Sequence, residues 1–263
     1  MKKYLYILKS EIMSNLQYVF NIILGFIGYL IMIFILLNLW KYIYSDPSEL
    51  INGYNMNQMI WYIIITELLW GSVSGRKLCR KISDDVKNGN IAYNINKPYN
   101  YIGYALSNHF GDVIVKMFIY TILAMIMGYI FLGGFPNLTI VSVLATIISA
   151  FLATIVSSLF IIFIGLFSFI IEDSGPFYWV YAKFILIIGT IFPIEFFPKS
   201  IQPIINYSPI YAISYGPAKL FVDFNLNIFL SVLISQIIYI IIGWVICSLI
   251  YKKGVRNLNV NGG

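Results

Sequence analysis

Charge is what this chain has least of. Only 11% of its 263 residues are Asp, Glu, Lys or Arg, against 60% hydrophobic. An ordinary soluble domain carries about 25% charged residues. Mean hydropathy is +0.83. Such a chain cannot coat itself with a polar surface, so lipid is its natural solvent. Cysteine and histidine are scarce too. Cys79 and Cys247 are the only cysteines and His109 the only histidine. The cysteines form no metal or redox spacing and are expected as reduced thiols, and a histidine-rich metal site is excluded. Phosphate-binding signatures are absent. The nearest stretch, GSVSGRKL from Gly71 to Leu78, has one residue too few between its glycines and Arg where the phosphate lysine belongs. It also lacks Ser or Thr after the basic pair and closes an apolar run instead of following a strand. Neither H-E-x-x-H nor G-x-S-x-G occurs. The net charge of +6 does not argue for nucleic acid, which needs a basic face on a folded domain.

What the chain does have is long apolar runs. A helix needs roughly 20 apolar residues to cross a bilayer. Residues 12–40 are uncharged, as are 117–171 and 224–251. Six spans are expected, at 18–40, 59–75, 110–132, 139–171, 177–193 and 224–251. The long middle run divides at Gly133-Gly134-Phe135-Pro136-Asn137, where Gly and Pro break the helix. Span two carries Glu67 and span five Lys183. The first apolar run exceeds the core of a cleavable signal peptide and no small-x-small site follows, so it is expected to stay as an anchor. Fourteen of the seventeen Lys and Arg residues fall on one side of this arrangement. Only Lys41, Lys199 and Lys219 fall on the other. That asymmetry places both termini in the cytoplasm of a multi-pass cell-membrane protein.

Two segments are neither spans nor plain loops. Over residues 1–17, Leu5, Leu8, Ile12 and Leu16 recur at helical spacing, while Lys9, Ser14 and Gln17 fall elsewhere on the wheel. This reads as an amphipathic helix on the membrane surface, or as a cytoplasmic extension of span one. Residues 193–223 hold five of the nine prolines, at 193, 198, 203, 209 and 217. That density forbids one continuous helix. A broken, re-entrant-like extracellular segment is expected, capping or lining a pathway, or else a loop folded over the spans. The fold class is an all-α integral membrane protein with a single transmembrane domain, 1–263.

Glu67 is the notable charge within the spans. An acid at a helix centre costs about 2.5–3.5 kcal/mol on insertion scales. It either lines a pathway or is a protonated, hydrogen-bonded structural residue. Asp112 and Lys116, spaced i, i+4, form a helix pair or a gate. The acidic pairs Asp84-Asp85 and Glu172-Asp173 have no metal-like partner spacing, which leaves little for a membrane enzyme to work with.

The densest charge lies in RKLCRKISDDVKNGNIAYNINKP, Arg76 to Pro98, with six basic and two acidic residues. Leu78, Ile82 and Val86 recur every four residues and make one apolar stripe. Gly89 is placed to end this helix. An extended piece should follow, with Pro98 at the start of the next helix. Residues 76–109 thus form a cytoplasmic segment presented for contact.

The pattern Ile82-x-x-Asp85-Val86-x-x-Gly89-x-Ile91, then Lys97-Pro98, resembles a cytoplasmic segment of ABC-2-type transporter permeases. NYSPIYAISYGPAKL, Asn206 to Leu220, is loosely similar to the segment before their last span. The likeness covers about 25 residues by motif and nearly the whole chain by topology. It implies a permease that pairs with a second identical or homologous permease and binds two cytoplasmic ATP-hydrolysing subunits. ATP and Mg would sit on those subunits and none on this chain. Ile82, Asp84, Asp85, Val86, Lys87, Gly89, Ile91 and Pro98 would belong to a coupling helix seated in an ATPase groove, with the N-terminal helix as a second contact. Export is implied by the resemblance alone. The competing readings are a stand-alone transporter or channel driven by an ion gradient, and a membrane-embedded enzyme or scaffold.

Overall fold

A computed structural model describes residues 2–46, 48–136, 138–171 and 173–257, without the side chains of Ile95 and Asn257. Asn137 of the expected turn and Glu172 of the expected acidic pair lie outside the described residues. The described chain is helical and contains no β-strand. Four helices are long and apolar enough to cross a membrane: Val19–Ile43, Tyr101–Leu132, Ile140–Phe169 and Leu226–Arg256.

In order, α1 is Lys2–Leu16, α2 Val19–Ile43, α3 Met56–Ser72, α4 Gly75–Lys87, α5 Asn90–Ile95, α6 Tyr101–Leu132 and α7 Ile140–Leu166. After these come α8 Gly175–Phe184, α9 Gln202–Asn206, α10 Gly216–Val222 and α11 Leu226–Asn257. The expected spans two and five correspond to shorter elements. α3 has 17 residues, about 26 Å of helix at the standard rise. α8 widens into a π-type segment at Ile185–Ile191 and stops before Pro193.

α3 is the centre of the bundle. Met59 to Leu69 are all buried, as expected of a helix that is apolar all round. It packs against α2, α6 and α10. Its start is fixed by a capping box, in which Gln58 N–H donates to Asn55 Oδ1 at 2.8 Å and Asn55 N–H to Gln58 Oε1 at 3.1 Å. These bonds satisfy amides that the first turn leaves orphaned. Gly128 lets α6 close on α3, since a Cβ there would lie 2.3 Å from the Trp61 ring. By contrast α2 turns Phe20, Ile27, Ile31 and Phe34 outward. That one-sided burial fits a helix bordered by lipid.

Residues 193–223 are broken, as the prolines require. Short turns at Ile194–Phe196 and Gln202–Asn206 lead to a π-type segment at Tyr211–Tyr215 and then α10. Tyr211 to Val222 are buried, so the second part of this segment belongs to the bundle, while residues 198–207 are largely exposed. The α6–α7 link turns at Gly133, whose φ of +70° closes α6.

Two local expectations are corrected. The piece after Gly89 is helical, not extended. Gly89, at φ +71°, reverses the chain, and the fully buried Ile91 draws α5 in with Leu78 and Ile82. Pro98 does not begin the next helix. Asn100 does, accepting N–H bonds from Ile102 at 2.9 Å and Gly103 at 3.1 Å, because a side-chain cap satisfies free amides that proline cannot. The helix that carries the expected span three therefore begins at Tyr101, nine residues before its apolar run.

A candidate coupling interface at the basic end

α4 follows α3 after a tight turn in which Gly75 N–H donates to Val73 O at 2.6 Å. Its four-residue stripe does not face solvent. Leu78, Cys79, Ile82 and Val86 are buried with Leu159, Ile161 and Ile162 of α7. Gly165 of α7 makes room, since a Cβ there would sit 3.0 Å from the Ile82 Cβ. Ser168 Oγ donates to Ser83 Oγ at 2.7 Å. Burial pushes the Cys79 thiol upward, so it is a packing group. The stripe that reads as a docking face is the clamp that fastens α4 to the spans. An apolar stripe of this period has the same appearance whether it meets its own bundle or a partner.

The expected site residues therefore divide. Ile82, Val86 and Ile91 face inward. Asp85 accepts from the Tyr101 hydroxyl at 2.8 Å, tying α4 to α6. Asp84, Lys87, Gly89 and Pro98 are exposed, with Arg76, Lys77, Arg80, Ala92 and Tyr93. Tyr93 is 70% exposed, with the Lys97 ammonium 4.2 Å from its ring centroid. Arg80 pairs with Asp84 at 3.8 Å and Lys87 with Asp173 at 3.8 Å. Exposed pairs like these contribute about 0–1 kcal/mol and can be exchanged for partner contacts. A cleft of about 470 Å³ opens between α4 and the start of α8, lined by Arg76, Arg80, Asp84, Lys87, Asp173 and Trp179 among others.

Behind α4 lies a polar network that composition alone does not disclose. Asn108 of α6 donates to Glu11 of α1 at 2.6 Å and accepts from Lys81 of α4. Burial lowers the Lys81 ammonium, against the pull of Glu11 and Asp85. Lys116 pairs with Asp112 at 2.9 Å and also donates to Ser74, ahead of α4. α1 runs along the first turns of α6. Its contacts there are Tyr4, close to Gly103, and Leu8 and Glu11, close to Gly111, while Leu5 and Leu16 point outward at 63% and 54% exposure. Ile12 is half-buried. The four residues of the expected apolar face thus divide between the bundle and its surroundings.

Glu67 joins none of this. It is buried within α3, and its Oε1 has no hydrogen-bond partner among the described residues. Nor do the described residues hold any group of three or more His, Cys, Asp or Glu side chains able to bind a metal.

A second polar centre, at the opposite end of the bundle, is missed by motif reading. Glu195 accepts from Tyr54 at 3.1 Å and Tyr215 at 2.6 Å, and lies 3.6 Å from Lys219. Lys219 also meets Asp223 at 3.0 Å. Burial raises the Tyr54 phenol, with Tyr215 and Glu195 adding to the shift. The i, i+4 spacing of Lys219 and Asp223 was the one signal in the sequence.

The chain has no match among curated proteins. Across residues 8–262 it matches the family described as ABC-2 family transporter protein. With its apolar helices and that match over nearly its whole length, the chain is a multi-pass membrane permease belonging to the ABC-2 transporter family.

Proposed function

We propose that this chain is the permease subunit of an ATP-driven exporter in the cell membrane. Its six expected segments cross the bilayer with both termini in the cytoplasm, and it works beside a second identical or homologous permease. ATP and Mg belong to separate cytoplasmic ATPase subunits. One observation carries this reading: α4 is clamped to α7 by its apolar stripe while its charged ridge, continued by α5, is left outside. A partner that pushes on that ridge moves α7 through Ile82 and α6 through Asp85 and Asn108.

The ridge revises which residues meet the ATPase. Asp84, Lys87, Gly89 and the Ala92–Tyr93 edge make the contact, while Ile82, Val86 and Ile91 transmit it. Co-expression with the ATPase of the same system tests this. Wild-type permease is expected to co-purify with it and to stimulate ATP hydrolysis. An Asp84→Ala, Tyr93→Ala double variant should insert normally and lose that stimulation. Normal stimulation by the double variant would sink the assignment.

A further inference from the structure

We propose that the cleft at the opposite end of the bundle binds an organic ammonium group. It holds about 520 Å³ and is lined by Asn57, Gln58, Trp61, Gly133, Phe135 and Asp223 among others. Among the described residues that line it there is no Lys or Arg, and Asp223 is the one acidic side chain. The adjoining cluster of Glu195, Lys219 and Asp223 sets two carboxylates against one ammonium, so it is net negative. Two helices end at the cleft, α6 at Gly133 and α10 at Asp223, and two begin there, α3 after Asn55 and α7 after Thr139, each with first-turn amides taken up by its own capping box. Helix C-termini present unpaired carbonyls and a partial negative charge.

Aromatic surface completes the arrangement. Phe135 is 48% exposed. Its ring is braced by Trp61 at 5.3 Å and Tyr129 at 5.5 Å between centroids. Trp61 is held in turn by its indole N–H, which donates to Gly134 O at 3.1 Å. An aromatic face that is already fixed, beside a carboxylate and carbonyl oxygens, suits a quaternary or primary ammonium. A bare metal ion would leave the ring unused, and an anion would meet Asp223. The ammonium could come from a lipid headgroup or from a free amine. The cleft lies at the far end from α4 and does not depend on what docks there.

The test uses the purified full chain and titrates tetramethylammonium, choline and the uncharged choline isostere 3,3-dimethylbutanol by calorimetry. Saturable binding of both cations is expected, with the isostere weaker by about tenfold or more. Asp223→Asn and Phe135→Leu should each weaken the cations about fivefold. Phe135→Leu leaves the Lys219 pair intact and decides the matter if Asp223→Asn fails to fold. Equal binding of the isostere, or a folded Phe135→Leu with unchanged affinity, would overturn the proposal. Repeating the titration in bilayer discs of phosphatidylethanolamine and of phosphatidylglycerol separates the sources. Weaker tetramethylammonium binding in the first identifies a headgroup as occupant; equal saturable binding in both identifies a free amine.

Discussion

The two ends of the bundle are held in opposite ways. At the basic end the polar contacts are spread over many pairs and many elements. Lys3 donates to Pro98 O, Asn100 N–H to the Tyr4 hydroxyl, Asn108 to Glu11 and Tyr101 to Asp85. No one residue collects them. At the opposite end one carboxylate, Glu195, gathers Tyr54, Tyr215 and Lys219. A distributed network keeps α1, α4 and α6 together when one contact is lost, so a displacement of α4 is carried inward as a body. A single hub opens as a unit, because its bonds share one acceptor. The basic end is thus suited to passing on a push, and the other end to releasing the broken segment from α3.

The largest effect should come from the hub. Glu195→Ala strands the hydroxyls of Tyr54 and Tyr215, which are 1% and 7% exposed. Hydrogen bonds to a charged group contribute about 1.5–3 kcal/mol each, so the loss should reach about 3 kcal/mol. Lys219 keeps Asp223, which holds the cost below that of an isolated buried charge. A drop of several degrees in the unfolding temperature of the purified chain is expected. A shift no larger than that of Asn108→Ala would show that Glu195 is not a hub.

Next comes Ile82→Ala, which tests the clamp at the basic end. The side chain is 1% exposed and sits against Gly165 of α7. Removing a buried Ile side chain to Ala costs about 2–5 kcal/mol in soluble cores. The low end applies here, because α4 lies at the margin of the bundle. Protease access to the α4–α5 segment should rise along with the loss of stability. Were Ile82 a docking residue on a free face, neither measurement would move and only the ATPase contact would suffer.

These residues show how far sequence reading goes. The apolar runs near 18–40, 139–171 and 224–251 announce helices because burial in lipid needs an uncharged stretch, and period and length carry that signal. Proline density at 193–223 rules out a continuous helix for an equally local reason. Contacts between distant segments were not legible. Nothing local tells Glu195 that Tyr54 and Tyr215 will converge on it, nor that Leu78, Ile82 and Val86 will meet α7. Helix starts were lost for a subtler reason. Asn100 caps α6 through its side chain, yet the hydrophobic run begins only near Phe110, so hydropathy places the helix start nine residues late.

A smaller effect should follow Asn108→Ala. Its side chain bridges Lys81 and Glu11, and net hydrogen-bond contributions are about 1 kcal/mol. Lys81 and Glu11 attract each other across the gap and can recover part of the loss by pairing directly. A modest fall in unfolding temperature, clearly less than for Glu195→Ala, is the expected result. The Asn108→Ala, Lys81→Met double variant sharpens the point. It removes the replacement pair and should lose more than the two single variants combined. Strict additivity would mean that the contacts do not act as a network.

The smallest stability effect belongs to Tyr93→Ala, and there the contrast between the two faces of the α4–α5 segment becomes a measurement. Tyr93 is 70% exposed, and its Lys97 contact is a surface cation–π pair contributing about 0.5–1 kcal/mol. Surface substitutions usually stay within about 0.5 kcal/mol, so unfolding temperature should barely change. Stimulation of the ATPase should nevertheless fall, because Tyr93 stands on the outer edge that the proposed partner meets. Ile82→Ala should show the reverse balance, with a large stability loss and an ATPase contact that recovers once the chain is held folded at low temperature. If Tyr93→Ala still co-purifies fully with the ATPase while Ile82→Ala fails to do so under folded conditions, the inner stripe reaches the partner after all, and α4 must leave α7 during the transport cycle.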